Sequence, residues 1–140
     1  MKVRHIMHNT TVVGGTGSVL DAAKVMSGKN IGSVLVRGEQ GLGMLTERDI
    51  LKKVVACNRI PGDVGVSEVM TSLNHTIDVD SDVVDASRVF GEHHVRRLPV
   101  TEKNAIVGII TTRDVAMSVG INKLKQRRVY QREYRYYPSR

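Results

Sequence analysis

The chain has 140 residues, 41% hydrophobic and 25% charged, which fits one ordinary globular domain or two small units that must share a core. No run of about 18 apolar residues occurs to span a membrane, and no long apolar stretch follows Met1-Lys2-Val3-Arg4-His5 to serve as a secretory signal. Net charge is +7 but unevenly placed: residues 1–120 carry 14 Lys+Arg against 13 Asp+Glu, and residues 121–140 carry 7 against 1. The single Cys57 can close no internal disulfide, which suits a reducing, cytoplasmic setting.

In chain order, a short apolar segment Val3–Met7 comes first, then a β-prone Thr11-Val12-Val13. Gly14-Gly15-Thr16-Gly17-Ser18 follows and invites a phosphate-loop reading. It lacks the Lys-Ser/Thr pair of a Walker loop and the third Gly of a dinucleotide fingerprint, so it reads as a turn with Ser18 as helix N-cap. Val19, Ala22, Ala23 and Met26 have helical apolar spacing, and Ile31–Val36 reads as a buried strand. After the polar turn Arg37–Gly41, the phrase Gly43-Met44-Leu45-Thr46-Glu47-Arg48-Asp49 reads as a strand running straight into a helix. Thr followed three residues later by Asp is a capping-box start. Asn58-Arg59-Ile60-Pro61-Gly62-Asp63 then breaks the pattern, Pro-Gly being strong punctuation.

The second part of the chain repeats the first. Val66–Met70 answers Val3–Met7, Asp82–Ala86 answers Ser18–Ala22, and Val95–Val100 answers Ile31–Val36. The phrase returns as Gly108-Ile109-Ile110-Thr111-Thr112-Arg113-Asp114, and the offset grows only from 63 at Val3/Val66 to 65 at Gly43/Gly108. Each half is therefore strand, helix, strand, strand, helix. The reading gives a first unit at 1–57, a linker at 58–65, a second unit at 66–119 and a basic Tyr/Arg-rich tail at 120–140, expected to be helical. The fold class is α/β, with the two units paired because a unit of this size buries its sheet poorly alone.

With its two G-h-h-T-x-x-D phrases and His94-Val95-Arg96-Arg97-Leu98-Pro99-Val100, an H-x-x-x-x-P-V junction, the chain resembles a tandem pair of CBS domains, the cystathionine β-synthase-type regulatory module. The resemblance covers residues 1–119. It implies two CBS units related by pseudo-two-fold symmetry, an adenosine-containing ligand (AMP, ADP, ATP or S-adenosylmethionine) in the cleft between them, a regulated protein partner, and no catalysis or cofactor.

The resemblance places Asp49 and Asp114 on ribose hydroxyls, with Thr46 and Thr111 near phosphate or ribose. The physical chemistry agrees: a helix N-terminus suits a phosphate and a carboxylate accepts from two hydroxyls. Arg97 first and Arg96 second are implied as phosphate contacts, against the alternative of a solvated pair on an edge strand marked by Pro99. Gly32 and Ser33 stand at the matching positions of the first half, and Ser33 joins the candidates there. Thr11 and Val12, Thr76 and Ile77, and Ile31 and Val95 are implied as walls around the base, with plain core packing as the alternative.

His93 and His94 fit a helix C-terminus better than a metal site, and His5, His8 and His75 are scattered, so no metal is expected. A homodimer is expected, with Ala22, Ala23 and Ala86 permitting close helix approach. All four tyrosines, Tyr130, Tyr134, Tyr136 and Tyr137, lie among the basic residues of 121–140. That segment reads as a helix docking its Tyr face, or alternatively as a nucleic-acid contact with Arg on phosphates.

Overall fold

The computed structural model describes residues 1–126. The basic tail expected at 120–140 thus lies outside the described residues from 127 onward; before that its backbone continues the last helix. The elements are β1 (Val12–Gly14), α1 (Val19–Lys29), β2 (Ser33–Gly38), β3 (Gly41–Thr46), α2 (Glu47–Ile50), α3 (Val66–Val69), β4 (Thr71–Ser72), β5 (Ile77–Asp78), α4 (Val83–His93), β6 (Arg97–Glu102), β7 (Ala105–Thr111) and α5 (Thr112–Gln126). A five-residue π-helix, Leu51–Val55, continues α2, and 3-10 turns occupy Val3–His5 and Pro61–Asp63. The chain is mixed α/β, as its pattern implies.

These elements form two compact units, residues 9–76 and residues 1–8 with Ile77 onward. They are not the two halves of the sequence repeat. The opening segment of the first repeat belongs with the second repeat, and the opening segment of the second belongs with the first.

In unit 9–76 the sheet order is β1-β2-β3-β4, with β1 parallel to β2 and the other pairs antiparallel. The alternating and continuous apolar runs of β2 and β3 bury Val34, Val36 and Leu45 against Val19, Ala22 and Met26 of α1. Val66 and Val69 of α3 complete this core. Ser18 caps α1 reciprocally: its Oγ accepts from Asp21 N–H at 3.1 Å, and Asp21 Oδ2 accepts from Ser18 N–H at 3.3 Å. Asn30 ends the helix in the left-handed region, φ 54°. In the Gly14–Gly17 turn, a Cβ on Gly15 would stand 3.0 Å from Gly38 Cα and 2.9 Å from Ser67 Oγ. That Gly is there for the close approach of two chain segments.

In unit 1–8/77 onward the sheet order is β5-β6-β7. Leu98, Val100 and Ile110 pack against Ala86 and Phe90 of α4 and against Val3, which is fully buried. Backbone bonds from Val3 N–H to Ser81 O (2.9 Å) and Arg4 N–H to Val79 O (3.1 Å) fix the opening segment, and both Nε and Nη2 of Arg4 donate to Asp80 Oδ1. Asp82 caps α4 by accepting from Val84 N–H at 2.8 Å, without the reciprocal box of α1, and Asp85 faces Arg88. His93 closes α4 and His94 takes the left-handed cap, φ 52°, the position Asn30 holds in the other unit.

Pro99 does not mark an edge. It is buried in β6, the central strand. Its register partner Ile109 exchanges both backbone bonds with His8 on the far side (2.9 and 3.0 Å), so Pro99 and Ile109 are a non-hydrogen-bonded pair and the missing N–H is never required by β7. Of the three alanines named for helix approach, Ala22 and Ala86 are core residues, 3% and 0% exposed, while Ala23 is half-buried.

Candidate functional site

Both copies of the phrase do the same thing locally. The strand ends at a Thr whose side chain caps the next helix, and the Asp three residues on closes the box. Asp49 Oδ2 accepts from Thr46 N–H and Thr46 Oγ1–H, both at 3.0 Å, while Thr46 Oγ1 accepts from Asp49 N–H at 3.2 Å. In the other unit Asp114 Oδ2 accepts from Thr111 N–H at 2.8 Å, and Thr111 Oγ1 accepts from Asp114 N–H at 3.2 Å. Each carboxylate is thus pinned by one oxygen and turns the other outward. The neighbouring backbone repeats too: Glu47 N–H donates to Gly32 O and Thr112 N–H to Arg96 O, each at 3.0 Å.

Register brings further candidates to these junctions. Ser33 pairs with Thr46 across β2–β3, and Arg97 pairs with Thr111 across β6–β7. Arg96 and Arg97 are both exposed, and no described side chain holds either guanidinium in an ion pair. Thr11 gives its carbonyl to Leu35 N–H (2.9 Å), and its hydroxyl accepts from Lys29 Nζ at 3.4 Å. Val12 is 39% exposed. Ile31 and Val95 pack on the cores of their units, and Ile77 is a core residue in β5. Thr76 is exposed and closes one unit, while Ile77 opens the other.

Sequence reasoning missed the bases that meet the outward oxygens. Asp49 Oδ1 faces Lys53 Nζ at 3.1 Å, and Lys53 Nζ also donates to Val69 O at 2.8 Å. Asp114 Oδ1 meets His8 Nε2, from a residue 106 positions away in the chain. Lys53 was findable, since it lies four residues after Asp49 on a helix. His8 was not, because its approach depends on where the opening segment docks.

Around Asp114 lies a cleft of about 670 Å³ lined by Ile6, His8, Thr111, Arg113, Met117 and Ser118 among others. In unit 9–76 a cleft of about 610 Å³ sits by the hairpin turn, among Gly15, Arg37, Gln40, Ser67 and Asn74, and no sequence-predicted residue lines it. Among the described residues no three His, Cys, Asp or Glu side chains come together in a way that could hold a metal ion. No described helix is long and apolar enough to cross a membrane.

Comparison with known proteins places these junctions in context. The family model described as CBS domain matches twice, over residues 3–56 and 66–120. The chain is 37% identical over 103 residues to the CBS domain-containing protein YhcV of Bacillus subtilis, covering 72% of each. It is 33% identical over 116 residues to Hypoxic response protein 1 of Mycobacterium tuberculosis, covering 81% of each. Among solved structures, a hexameric CBS-CP12 protein from bloom-forming cyanobacteria superposes with a TM-score of 0.73 at 29% identity, over 88% of this chain and 73% of that one.

Proposed function

The chain belongs to the CBS-domain family, and from that premise we propose that it is a stand-alone, non-catalytic regulatory pair that binds an adenosine-containing ligand and passes the signal to a protein partner. AMP, ADP, ATP and S-adenosylmethionine are the ligands considered. The observation that carries the reading is the pair of half-pinned carboxylates. Asp49 and Asp114 are 14% and 12% exposed; the capping box fixes Oδ2 of each, and Oδ1, which faces Lys53 or His8, keeps lone-pair capacity to accept from a ribose hydroxyl. Arg97, opposite Thr111, and Arg96 beside it supply positive charge for a phosphate, so the Asp114 site is the one for phosphorylated ligands.

A homodimer, in a cytoplasmic setting, completes the proposal. Its contact is assigned to Leu51 and Val55, which lie four residues apart on the helical segment after Thr46 and are 60% and 59% exposed.

Thermal shift and titration calorimetry with AMP, ATP and S-adenosylmethionine test the ligand reading. Asp114→Asn keeps an oxygen for the Thr111 cap but removes the charge, and is expected to weaken binding by about 1.5–3 kcal/mol. Arg97→Ala should weaken AMP more than adenosine. Absence of binding by all three ligands at several millimolar refutes the reading.

A further inference from the structure

The two outward oxygens are held by different chemistry. In unit 9–76 the position matching His8 is Thr71, which pairs with Met44 as His8 pairs with Ile109. There the base is Lys53, tied at a second point by Val69 O. At Asp114 the base is an imidazole, brought in by the opening segment from 106 positions away. The His8 side chain is 63% exposed, so its ring can swing into solvent while its backbone bonds to Ile109 stay intact.

We propose that His8 is a specificity-determining residue of the Asp114 site: its ring occupies the carboxylate oxygen that a ligand hydroxyl needs, so nucleotide binding there requires the ring to swing away and is weakened by that competition. This deepens the ligand reading above and rests on Asp114 being the ribose acceptor. The other charged or titratable side chains lining this cleft are His5 and Arg113; Arg4, on the same segment, is committed to Asp80 and Glu102. His5, which lines the same cleft, is the control.

The probe is AMP, titrated by calorimetry into wild type, His8→Ala, His5→Ala and Asp114→Asn. The ratio of variant to wild-type affinity is the readout. The expected result is His8→Ala binding about fivefold to tenfold tighter than wild type, with His5→Ala following wild type. A His8→Ala affinity equal to wild type, or weaker, overturns the competition while leaving the nucleotide site in place. AMP affinity indifferent to Asp114→Asn, or no AMP binding at all, overturns the ribose assignment and the role of His8 with it. An unchanged melting temperature for His8→Ala shows that the readout is not a folding effect.

Discussion

Substituting Gly108 by Ala should cost far more than the same change at Gly43, although both glycines open the same phrase. A Cβ on Gly108 would stand 2.7 Å from the carbonyl oxygen of His8 and 3.0 Å from Met7 Sδ. The first of these is backbone, held by the reciprocal bonds to Ile109, and cannot step aside. The three atoms nearest a Cβ on Gly43 all belong to the Met70 side chain, with Cγ at 2.9 Å and Cε at 3.1 Å besides Sδ, and an unbranched thioether has other rotamers. Overpacking in a closed site costs about 1–3 kcal/mol, so Gly108→Ala belongs at the upper end and Gly43→Ala at the lower. At roughly 4 °C per kcal/mol for a chain of this size, Gly108→Ala should lower the melting temperature by about 8–12 °C and Gly43→Ala by about 4 °C. Double-mutant cycles supply the sharper check. Met70→Ala should relieve Gly43→Ala, with a coupling of about 1 kcal/mol, whereas Met7→Ala should leave most of the Gly108→Ala loss in place. Equal losses at the two glycines, or rescue of Gly108→Ala by Met7→Ala, would show that side-chain crowding and not the His8 carbonyl sets the cost.

Ser18→Ala removes a reciprocal cap and should destabilise by about 1 kcal/mol in chemical denaturation, with Ser18→Asn near neutral. Leu51→Glu together with Val55→Glu should give a monomeric mass by light scattering and a melting temperature that no longer rises with protein concentration, since both side chains are exposed in the protomer. Asp80 sits below the ordinary carboxylate range, first because Arg4 donates to it, and Asp82 is lowered chiefly by Val84 N–H. A depressed folded pKa means stability that is present above the ordinary carboxylate value and lost as pH falls through the folded one. Below about pH 4 the amide protons of Val3 and Arg4 should therefore exchange faster, ahead of those in β6 and β7.

What was legible in the sequence was local. The Thr46–Asp49 and Thr111–Asp114 boxes and the Ser18 cap depend on residues three apart, where spacing alone sets geometry, and the helix end at His93-His94 was equally local. The β2 and β3 runs were legible because a short apolar segment between turns has few alternatives to a buried strand. Pro99 misled because its rule concerns hydrogen-bond demand, and that demand was set by His8, a residue far away in sequence. Ala22 and Ala86 misled for a related reason: small residues at helical spacing suit a close helix pair or a close sheet contact equally, and only the tertiary packing separates them. Lys53 and His8 went unnoticed as carboxylate partners because the conspicuous residues of the phrase were the ones read for function.

The docking of Val3 has a consequence for synthesis. Its core partners run from Ile77 to Ile110, so they leave the ribosome about a hundred residues later, on the order of 5–20 seconds at ordinary elongation rates. Residues 9–76 are contiguous and complete in the meantime, which lets that unit fold on the nascent chain while Val3, Ile6 and Met7 wait in water. On a crowded polysome the earliest acceptor for a waiting segment is the 77–110 region of a chain slightly ahead. The same contacts that complete one molecule can then join two, so refolding at high concentration should yield a fraction of domain-swapped dimers that dilution alone releases slowly.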